Sequence, residues 1–73
     1  MTGVPRGRVS NQVRKLREAA AMTQAELGDI VGATRQTIIA IEAEKYAPSL
    51  ELAFRLARAF GRTVDDVFRF HDS

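Results

Sequence analysis

Apolar residues recur every three or four positions along most of the chain, a period that predicts amphipathic α-helices. The first helix is predicted over residues 10–21, with Val13 and Leu16 on its apolar face. Ser10 or Asn11 could cap its N-terminus. No segment shows the convincing alternation of apolar and polar residues that a half-buried strand requires. The pattern therefore predicts an all-α fold.

The second predicted helix, Gln24 to Val31, has sharper ends. Thr23 and Glu26 have the spacing of a capping box, in which the hydroxyl accepts a backbone N–H and the carboxylate reaches back. Gly32 follows the last apolar residue and tolerates the positive φ with which many helices end. The helix is therefore only about two turns long.

Three further helices are predicted in the second half of the chain. Thr34 can cap one over residues 35–43, and Ser49 can cap a longer one that Gly61 ends. Thr63 then starts a short fifth helix with acidic residues in its first turn, where the helix dipole favours negative charge. Together these predictions describe a compact five-helix domain.

The chain length of 73 residues allows one domain. We predict this domain over residues 10–70. Residues 1–9 include two glycines and a proline and are predicted to form a flexible basic arm. Residues 71–73 are predicted to form a short tail.

The composition argues against several classes of protein. With no Cys and one His, the chain lacks the ligands for a disulfide scaffold or a conventional zinc site. No apolar run approaches the ~18 residues of a membrane span, and the N-terminus lacks the apolar core of a signal peptide. No Gly-rich phosphate loop is present, and His71 is the only histidine. We therefore expect a cytoplasmic protein that is not an enzyme, with no cofactor, metal, membrane or evident small-molecule ligand.

The positive charge is concentrated at one end. The formal net charge is +2, but residues 1–17 carry five basic and no acidic residues. A concentration of this kind suits a polyanionic partner such as nucleic acid. A solvated basic tail would explain the charge equally well.

Two short helices separated by a three-residue turn are typical of a helix-turn-helix, here from Gln24 to about Ala43. A steep crossing needs a small residue at the contact, which Gly28 supplies, and the turn needs a positive φ, which Gly32 supplies. The apolar positions between the helices are Leu27, Val31, Ile38 and Ile41. Any helical hairpin in a small bundle could share these features, but the exposed face here also suits DNA.

That face begins with Arg35, Gln36 and Thr37, all polar or charged. The N-terminal residues of a recognition helix meet base edges in the major groove. Arg can pair with guanine and Gln with adenine through two hydrogen bonds, and the Ala40 methyl could meet a thymine methyl. We therefore predict base contacts at these four positions, although an ordinary solvent-facing helix would have similar residue types.

Backbone contacts to DNA are predicted on both sides of this helix. The candidate phosphate-binding residues are Gln24, Thr34, Lys45 and Tyr46. Gln24 heads the second helix, whose free N–H groups and dipole attract a phosphate. Lys45 and Tyr46 follow the third helix and carry donors. Arg6 and Arg8 of the arm are weaker candidates for phosphate or minor-groove contacts.

Four segments stand in a fixed order between Val13 and Phe68: TQAEL, VGATRQTI, IEAEKYAPSLELA and FGRTVDDVF. As a set they resemble the phage-repressor/Cro-type (XRE) helix-turn-helix family. The resemblance implies a five-helix, lambda-repressor-like domain that regulates transcription, expected to be a repressor. It also implies a homodimer on pseudo-palindromic double-stranded DNA, with the helix over residues 35–43 in the major groove and the base and phosphate contacts named above.

Three residues depart from the family pattern. The family often has Ala where Gly28 stands and Gly where Glu44 stands. Glu44 places a negative charge near the expected phosphate path. Ile39 is apolar and β-branched where a small polar residue is common, so it could touch DNA or pack.

The last predicted helix carries more aromatic residues than so small a core needs. We expect Phe70, with Val64 and Phe68, to contribute to a symmetric dimer interface. The alternative is that Phe68 belongs to the core and Phe70 is an isolated exposed residue. An antitoxin, or an adaptor that has lost DNA contact, could use the same fold for protein interaction. An antitoxin would typically add a toxin-binding tail, and an adaptor would not need an acid-free recognition face.

Overall fold

Five helices and two short strands make up the computed structural model, which describes residues 7–72. In chain order they are β1 (Gly7–Asn11), α1 (Val13–Ala19), α2 (Gln24–Val31), α3 (Arg35–Glu42), α4 (Leu50–Ala59), α5 (Val64–Val67) and β2 (Phe68–Asp72). The five helices confirm the predicted helical architecture, and the strands correct the prediction of an all-α fold.

Four helices begin at a residue whose side-chain hydroxyl accepts the backbone N–H of the residue three positions later. In the α2 capping box, Thr23 Oγ1 accepts from the Glu26 N–H at 3.0 Å, and Glu26 Oε1 accepts from the Thr23 N–H at 2.8 Å. The predicted caps of α3, α4 and α5 are likewise confirmed at Thr34, Ser49 and Thr63. These starts depend on contacts three residues apart, which is why the sequence predicts them well.

Helix α1 is shorter than the predicted 10–21. It begins at Val13 because Asn11 lies in β1 and its Oδ1 accepts the Val13 N–H at 3.0 Å. Ser10 does not cap the helix, since its hydroxyl lies 2.7 Å from His71 Nε2 across the ribbon. The helix ends at Ala19, after which Ala21 adopts a positive φ of 56°.

The two strands pair antiparallel from Gly7↔Asp72 to Asn11↔Phe68, and we call this pair the ribbon. Residues 7–9 therefore belong to β1 rather than to a loose arm, and residues 71–72 belong to β2 rather than to a tail. Arg6, predicted to act from the arm, lies outside the described residues. The strands are five residues each and come from opposite ends of the domain. Their stability therefore depends on a partner that local periodicity cannot reveal.

The core lies between the helices and the inner face of the ribbon. Its buried residues are Val13, Leu27, Val31, Ile38, Ile41, Ala53, Leu56, Ala57, Val67 and Phe68. Fully burying one of the larger aliphatic side chains contributes about 1.5–3 kcal/mol. Ile38 and Ile41 of this core lie on α3. Because their side of the helix packs inward, the opposite side of α3 faces outward.

The turn between α2 and α3 needs both of its glycines. Gly32 has a φ of +75°, and the Ala33 N–H donates to the Gly28 carbonyl at 2.9 Å. The chain then folds back so closely that a Cβ at position 28 would lie 2.7 Å from the Ala33 carbonyl oxygen. This confirms the roles predicted for Gly28 and Gly32, and it explains why a larger side chain at 28 would force α2 and α3 apart.

Candidate nucleic-acid interface

The outward face of α3 is set by its buried face. Ile38 and Ile41 are fully buried. Since an α-helix turns about 100° per residue, the positions opposite them are 36, 39, 40 and 43. Gln36 is exposed, and Ala40 is half-buried within this outward surface. Ile39, which the sequence left undecided between packing and DNA contact, is half-buried on the same side.

Arg35 and Thr37 lie on the two flanks of that face. Arg35 is exposed at the start of the helix, on the side that faces the N-terminus of α2. Thr37 is half-buried on the other flank, where its Oγ1 lies 3.0 Å from Thr34 Oγ1. The Thr37 N–H also donates to Thr34 Oγ1 at 3.1 Å. Both threonine hydroxyls are therefore engaged in the helix cap before any ligand is present.

An open groove of about 630 Å³ runs from α1 past the N-terminus of α2 to the outward face of α3. We call it the α2–α3 groove. Its lining residues are Arg14, Arg17, Met22, Thr23, Gln24, Ala25, Arg35, Ile39, Glu42 and Ala43. It therefore brings together the predicted phosphate-binding end of α2 and the predicted base-reading start of α3.

A largely buried ion pair lies in the lining of this groove. Arg17 Nε donates to Glu42 Oε2 at 2.6 Å, and Arg17 Nη2 donates to Glu42 Oε1 at 3.1 Å. The two side chains are only 12% and 5% exposed. The hydrogen bond to Glu42 raises the pKa of Arg17 above its ordinary value. Glu42 is thus neutralised in place, and its charge does not oppose a phosphate in the groove.

Gln24 is bound to the same carboxylate. Its Nε2 donates to Glu42 Oε1 at 3.1 Å, so the side chain predicted to hold a phosphate is oriented by the ion pair. An amide nitrogen carries two N–H groups, and the second can still donate to DNA.

The N-terminus of α2 presents backbone donors to the groove. Within residues 7–72 no acceptor takes the N–H of Gln24 or Ala25. The capping box uses the N–H groups of Thr23 and Glu26 and holds the Glu26 carboxylate against its own backbone. Exposed N–H groups at a helix start form an anion site.

Arg14 is a groove residue that the sequence reasoning missed. It lies one turn before Arg17 on α1, is 71% exposed, and pairs with Glu18 at 3.2 Å. An exposed pair of this kind contributes little to stability, so Arg14 is available to a phosphate at small cost. Its spacing from Arg17 placed both on one face of α1, but only the packing of α1 against α3 reveals which way that face points.

The loop after α3 begins with a strained residue. Glu44 has a φ of +59°, its N–H donates to the Ile41 carbonyl at 2.9 Å, and the Lys45 N–H donates to the Ala40 carbonyl at 3.0 Å. This is a Schellman motif, whose left-handed position favours glycine. The Glu44 carboxylate, whose negative charge is predicted to oppose phosphates, accepts from the Asn11 N–H at 3.1 Å. This hydrogen bond uses one of its two oxygens. Lys45 and Tyr46 follow and are exposed.

The residues predicted for a dimer interface divide into two groups. Phe68 is 7% exposed and belongs to the core, which is the alternative that the sequence left open, so only a small part of its surface reaches the groove described next. Phe70 is 61% exposed, with its ring over Gly7, and Val64 is half-buried. Both line an apolar groove of about 350 Å³ together with Val9, Ala47, Pro48, Leu50, Ala53, Asp65, Phe68 and Arg69. We call it the ribbon groove.

Leu50 is an exposed apolar residue of the ribbon groove that the sequence did not predict for this surface. It is 71% exposed at the first position of α4, and the i+4 residue Phe54 is 52% exposed. Of the apolar residues of α4, the core takes Ala53, Leu56 and Ala57 and leaves Leu50 and Phe54 outside. The apolar surface of α4 is therefore wider than the monomer can bury.

Other kinds of site find no support in the described part of the chain. Between residues 7 and 72 no three His, Cys, Asp or Glu side chains cluster as metal ligands would. In the same range no helix has the length and apolar character of a membrane span.

A comparison with family models matches residues 13–67 to a helix-turn-helix family. An uncharacterized HTH-type transcriptional regulator of Methanocaldococcus jannaschii is 44% identical over 64 residues, covering 88% of this chain and 97% of the relative. Among solved structures, a presumed DNA-binding protein from Bacteroides fragilis superposes with a TM-score of 0.74 at 18% identity, covering 84% of this chain and 98% of that one. At that identity the likeness shows the fold alone.

A solved enzyme also contains this fold. Hydroxypropylphosphonic acid epoxidase from S. wedmorenis matches with a TM-score of 0.67 and 25% identity over 74% of this chain, but over only 29% of the enzyme. The likeness concerns a minor part of the epoxidase and gives no support for enzymatic activity here. The family match and the regulators related over nearly their whole length do identify the chain. It belongs to the XRE-type helix-turn-helix family of DNA-binding transcription regulators.

Proposed function

We propose that this regulator binds a pseudo-palindromic operator as a homodimer, with α3 of each protomer in the major groove, and acts as a repressor in the cytoplasm. The observation that carries the proposal is the α2–α3 groove. There the exposed start of α3 lies beside free N–H groups of α2, and the acid that lines the groove, Glu42, is already paired with Arg17. A major groove about 12 Å wide admits one helix with phosphates on both sides.

Base recognition falls to the outward face of α3. Arg35 pairs with a guanine and Gln36 with an adenine, each through two hydrogen bonds. The Ala40 methyl lies one turn further along and meets a thymine methyl. Thr37, on the flank of the helix and bonded to Thr34, reaches a base or sugar only at the edge of the contact.

Phosphate binding falls to the two sides of that face. The N–H groups of Gln24 and Ala25 hold one phosphate, and the second amide N–H of Gln24 and the Arg14 guanidinium support it. Thr34 and the exposed Lys45 and Tyr46 donate to the other strand. Arg14 is added to the predicted set because it lines the same groove.

The ribbon groove is the proposed contact between protomers. Leu50, Val64 and Phe70 present apolar surface next to one another, and a second copy of the chain would cover it. A two-fold axis there places two recognition helices one helical turn apart, about 34 Å on DNA. Dimerisation matters because one short helix reads only half of such a site.

Selection of bound sequences from a random double-stranded DNA pool tests the whole proposal. We expect an enriched sequence with two inverted half-sites about one helical turn apart, and a steep loss of affinity as salt rises. A single half-site would contradict the dimer, and direct repeats would contradict its symmetry. No enrichment would contradict DNA recognition and would favour a protein-interaction module, the role of an antitoxin or adaptor. Transcription from a promoter carrying the selected site then distinguishes repression from activation.

A further inference from the structure

One residue at the end of β1 hydrogen-bonds both to the start of α1 and to the last turn of α3. Asn11 Nδ2 donates to the Ile41 carbonyl in the last turn of α3 at 2.9 Å, and Asn11 Oδ1 accepts the Val13 N–H at the start of α1 at 3.0 Å. Its backbone N–H donates to Glu44 Oε2 at 3.1 Å. All three polar groups of Asn11 that point away from the ribbon are therefore used.

These contacts join the two proposed interfaces. The ribbon that Asn11 ends carries Phe70 of the ribbon groove, while Ile41 and Glu44 end the recognition helix. The Ile41 carbonyl oxygen already accepts the Glu44 N–H, so the Asn11 amide donates to the second lone pair of that oxygen. This second hydrogen bond restricts the orientation of the C-terminal end of α3. The Arg17–Glu42 pair bonds to the same turn of α3.

We propose that Asn11 is a positioning residue for DNA recognition: its amide ties the C-terminal end of α3 to the ribbon and sets the direction of the recognition helix relative to the dimer contact. The proposal rests on the function proposed above. It matters because two half-sites are read together only when both recognition helices are held at a fixed angle and separation.

Replacement of Asn11 by Asp tests the hydrogen bond from the Asn11 amide to the Ile41 carbonyl. A carboxylate still accepts the Val13 N–H and favours the start of α1, but it cannot donate to the Ile41 carbonyl and is repelled by Glu44. Asn11→Ser is a second, uncharged variant, since its hydroxyl can accept from Val13 and is too short to reach Ile41. Gln12→Asp is the matched control, because it adds the same charge one position along at an exposed side chain that has no bond to α3.

The experiment measures affinity for the selected operator, for a scrambled duplex and for operators with half-sites one base pair closer or further apart. For Asn11→Asp and Asn11→Ser we expect about a tenfold loss on the operator, beyond any loss on the scrambled duplex. We also expect a flatter dependence on half-site spacing. Gln12→Asp should keep the wild-type spacing profile. A general loss of folded protein would lower specific and non-specific binding together, and thermal unfolding of each variant measures it.

Two results would overturn the inference in different ways. If both Asn11 variants keep the wild-type ratio of specific to non-specific affinity and the same spacing profile, Asn11 has no positioning role. If wild-type protein selects no DNA at all, the proposed function is wrong and this inference falls with it.

Discussion

The Arg17 guanidinium holds the Glu42 carboxylate through two hydrogen bonds of 2.6 and 3.1 Å and so joins α1 to the recognition helix. Arg17 also donates to the Met22 carbonyl at 2.9 Å, and Gln24 donates to the same carboxylate. One ion pair therefore orients α1, the start of α2 and the last turn of α3 with respect to one another.

Arg17→Met should lower the free energy of unfolding by about 1–3 kcal/mol, because it removes the charged partner of the largely buried Glu42 carboxylate, to which only the neutral Gln24 amide still donates. The double variant Arg17→Met/Glu42→Leu should recover much of that loss, since it removes both charges. Urea unfolding of the three proteins measures the difference. Equal loss in the single and double variants would mean that packing of Arg17, rather than its charge, supports the fold.

Ala21→Gly should stabilise the protein by roughly 0.5–1 kcal/mol. Ala21 has a φ of +56°, a conformation that costs an L-residue about 1–2 kcal/mol, and part of the relief is lost to the greater freedom of glycine when unfolded. Ala20→Gly is the control, because Ala20 is a neighbouring exposed alanine with an ordinary φ of −88°. That variant should be destabilised. Thermal unfolding decides, and a loss of stability in both variants would contradict the argument.

Arg35→Ala should cost about 1–3 kcal/mol of binding to the selected operator and should relax the preference at one base pair of each half-site. The reason is that the proposed function assigns a base contact to this exposed Arg at the start of α3. Arg58→Ala removes the same charge from the exposed side of α4, away from the α2–α3 groove, and serves as the control. A uniform loss across all sequences would instead make Arg35 a phosphate contact.

Arg14→Ala should weaken binding to operator and scrambled DNA by similar factors. A side chain that contacts only phosphate carries no sequence information. In a dimer the slope of log affinity against log salt should become shallower by about two, one for each protomer. Titrations at several salt concentrations measure this slope. An unchanged slope would show that Arg14 stays with Glu18 when DNA is bound.

Leu50→Ser should weaken self-association by about tenfold or more without loss of fold, because Leu50 is 71% exposed and its burial against a second copy would supply the apolar contact. Ile30→Ser is the matched control, since Ile30 is 58% exposed on α2 and does not line the ribbon groove. Sedimentation equilibrium compares the two variants with wild type. Equal association constants for all three would place the dimer contact elsewhere.

Local signals explain why the helices could be predicted from the sequence. The starts of α2, α3, α4 and α5 each depend on one hydroxyl and a backbone N–H three residues later, and all four are where the sequence placed them. The turn glycines Gly28 and Gly32 also act on near neighbours. Such contacts join residues only a few positions apart in the sequence, so they can be predicted without knowledge of the rest of the fold.

Contacts between distant segments explain what the sequence could not predict. The ribbon pairs the first and last described residues, so neither strand shows a signal by itself. The sequence leaves Phe68 undecided between the core and a partner surface, because it does not show that β2 turns this ring into the core while leaving Phe70 outside. Arg14 and Leu50 were missed for the same reason, since each is defined as a site residue only by elements packed beside it.

The pairing of Gly7 with Asp72 makes the two ends of this domain a single structural unit. Removal of residues 7–11 or of residues 68–72 would leave the opposite strand without its hydrogen-bond partner, so deletion of one strand should increase protease cleavage at the other.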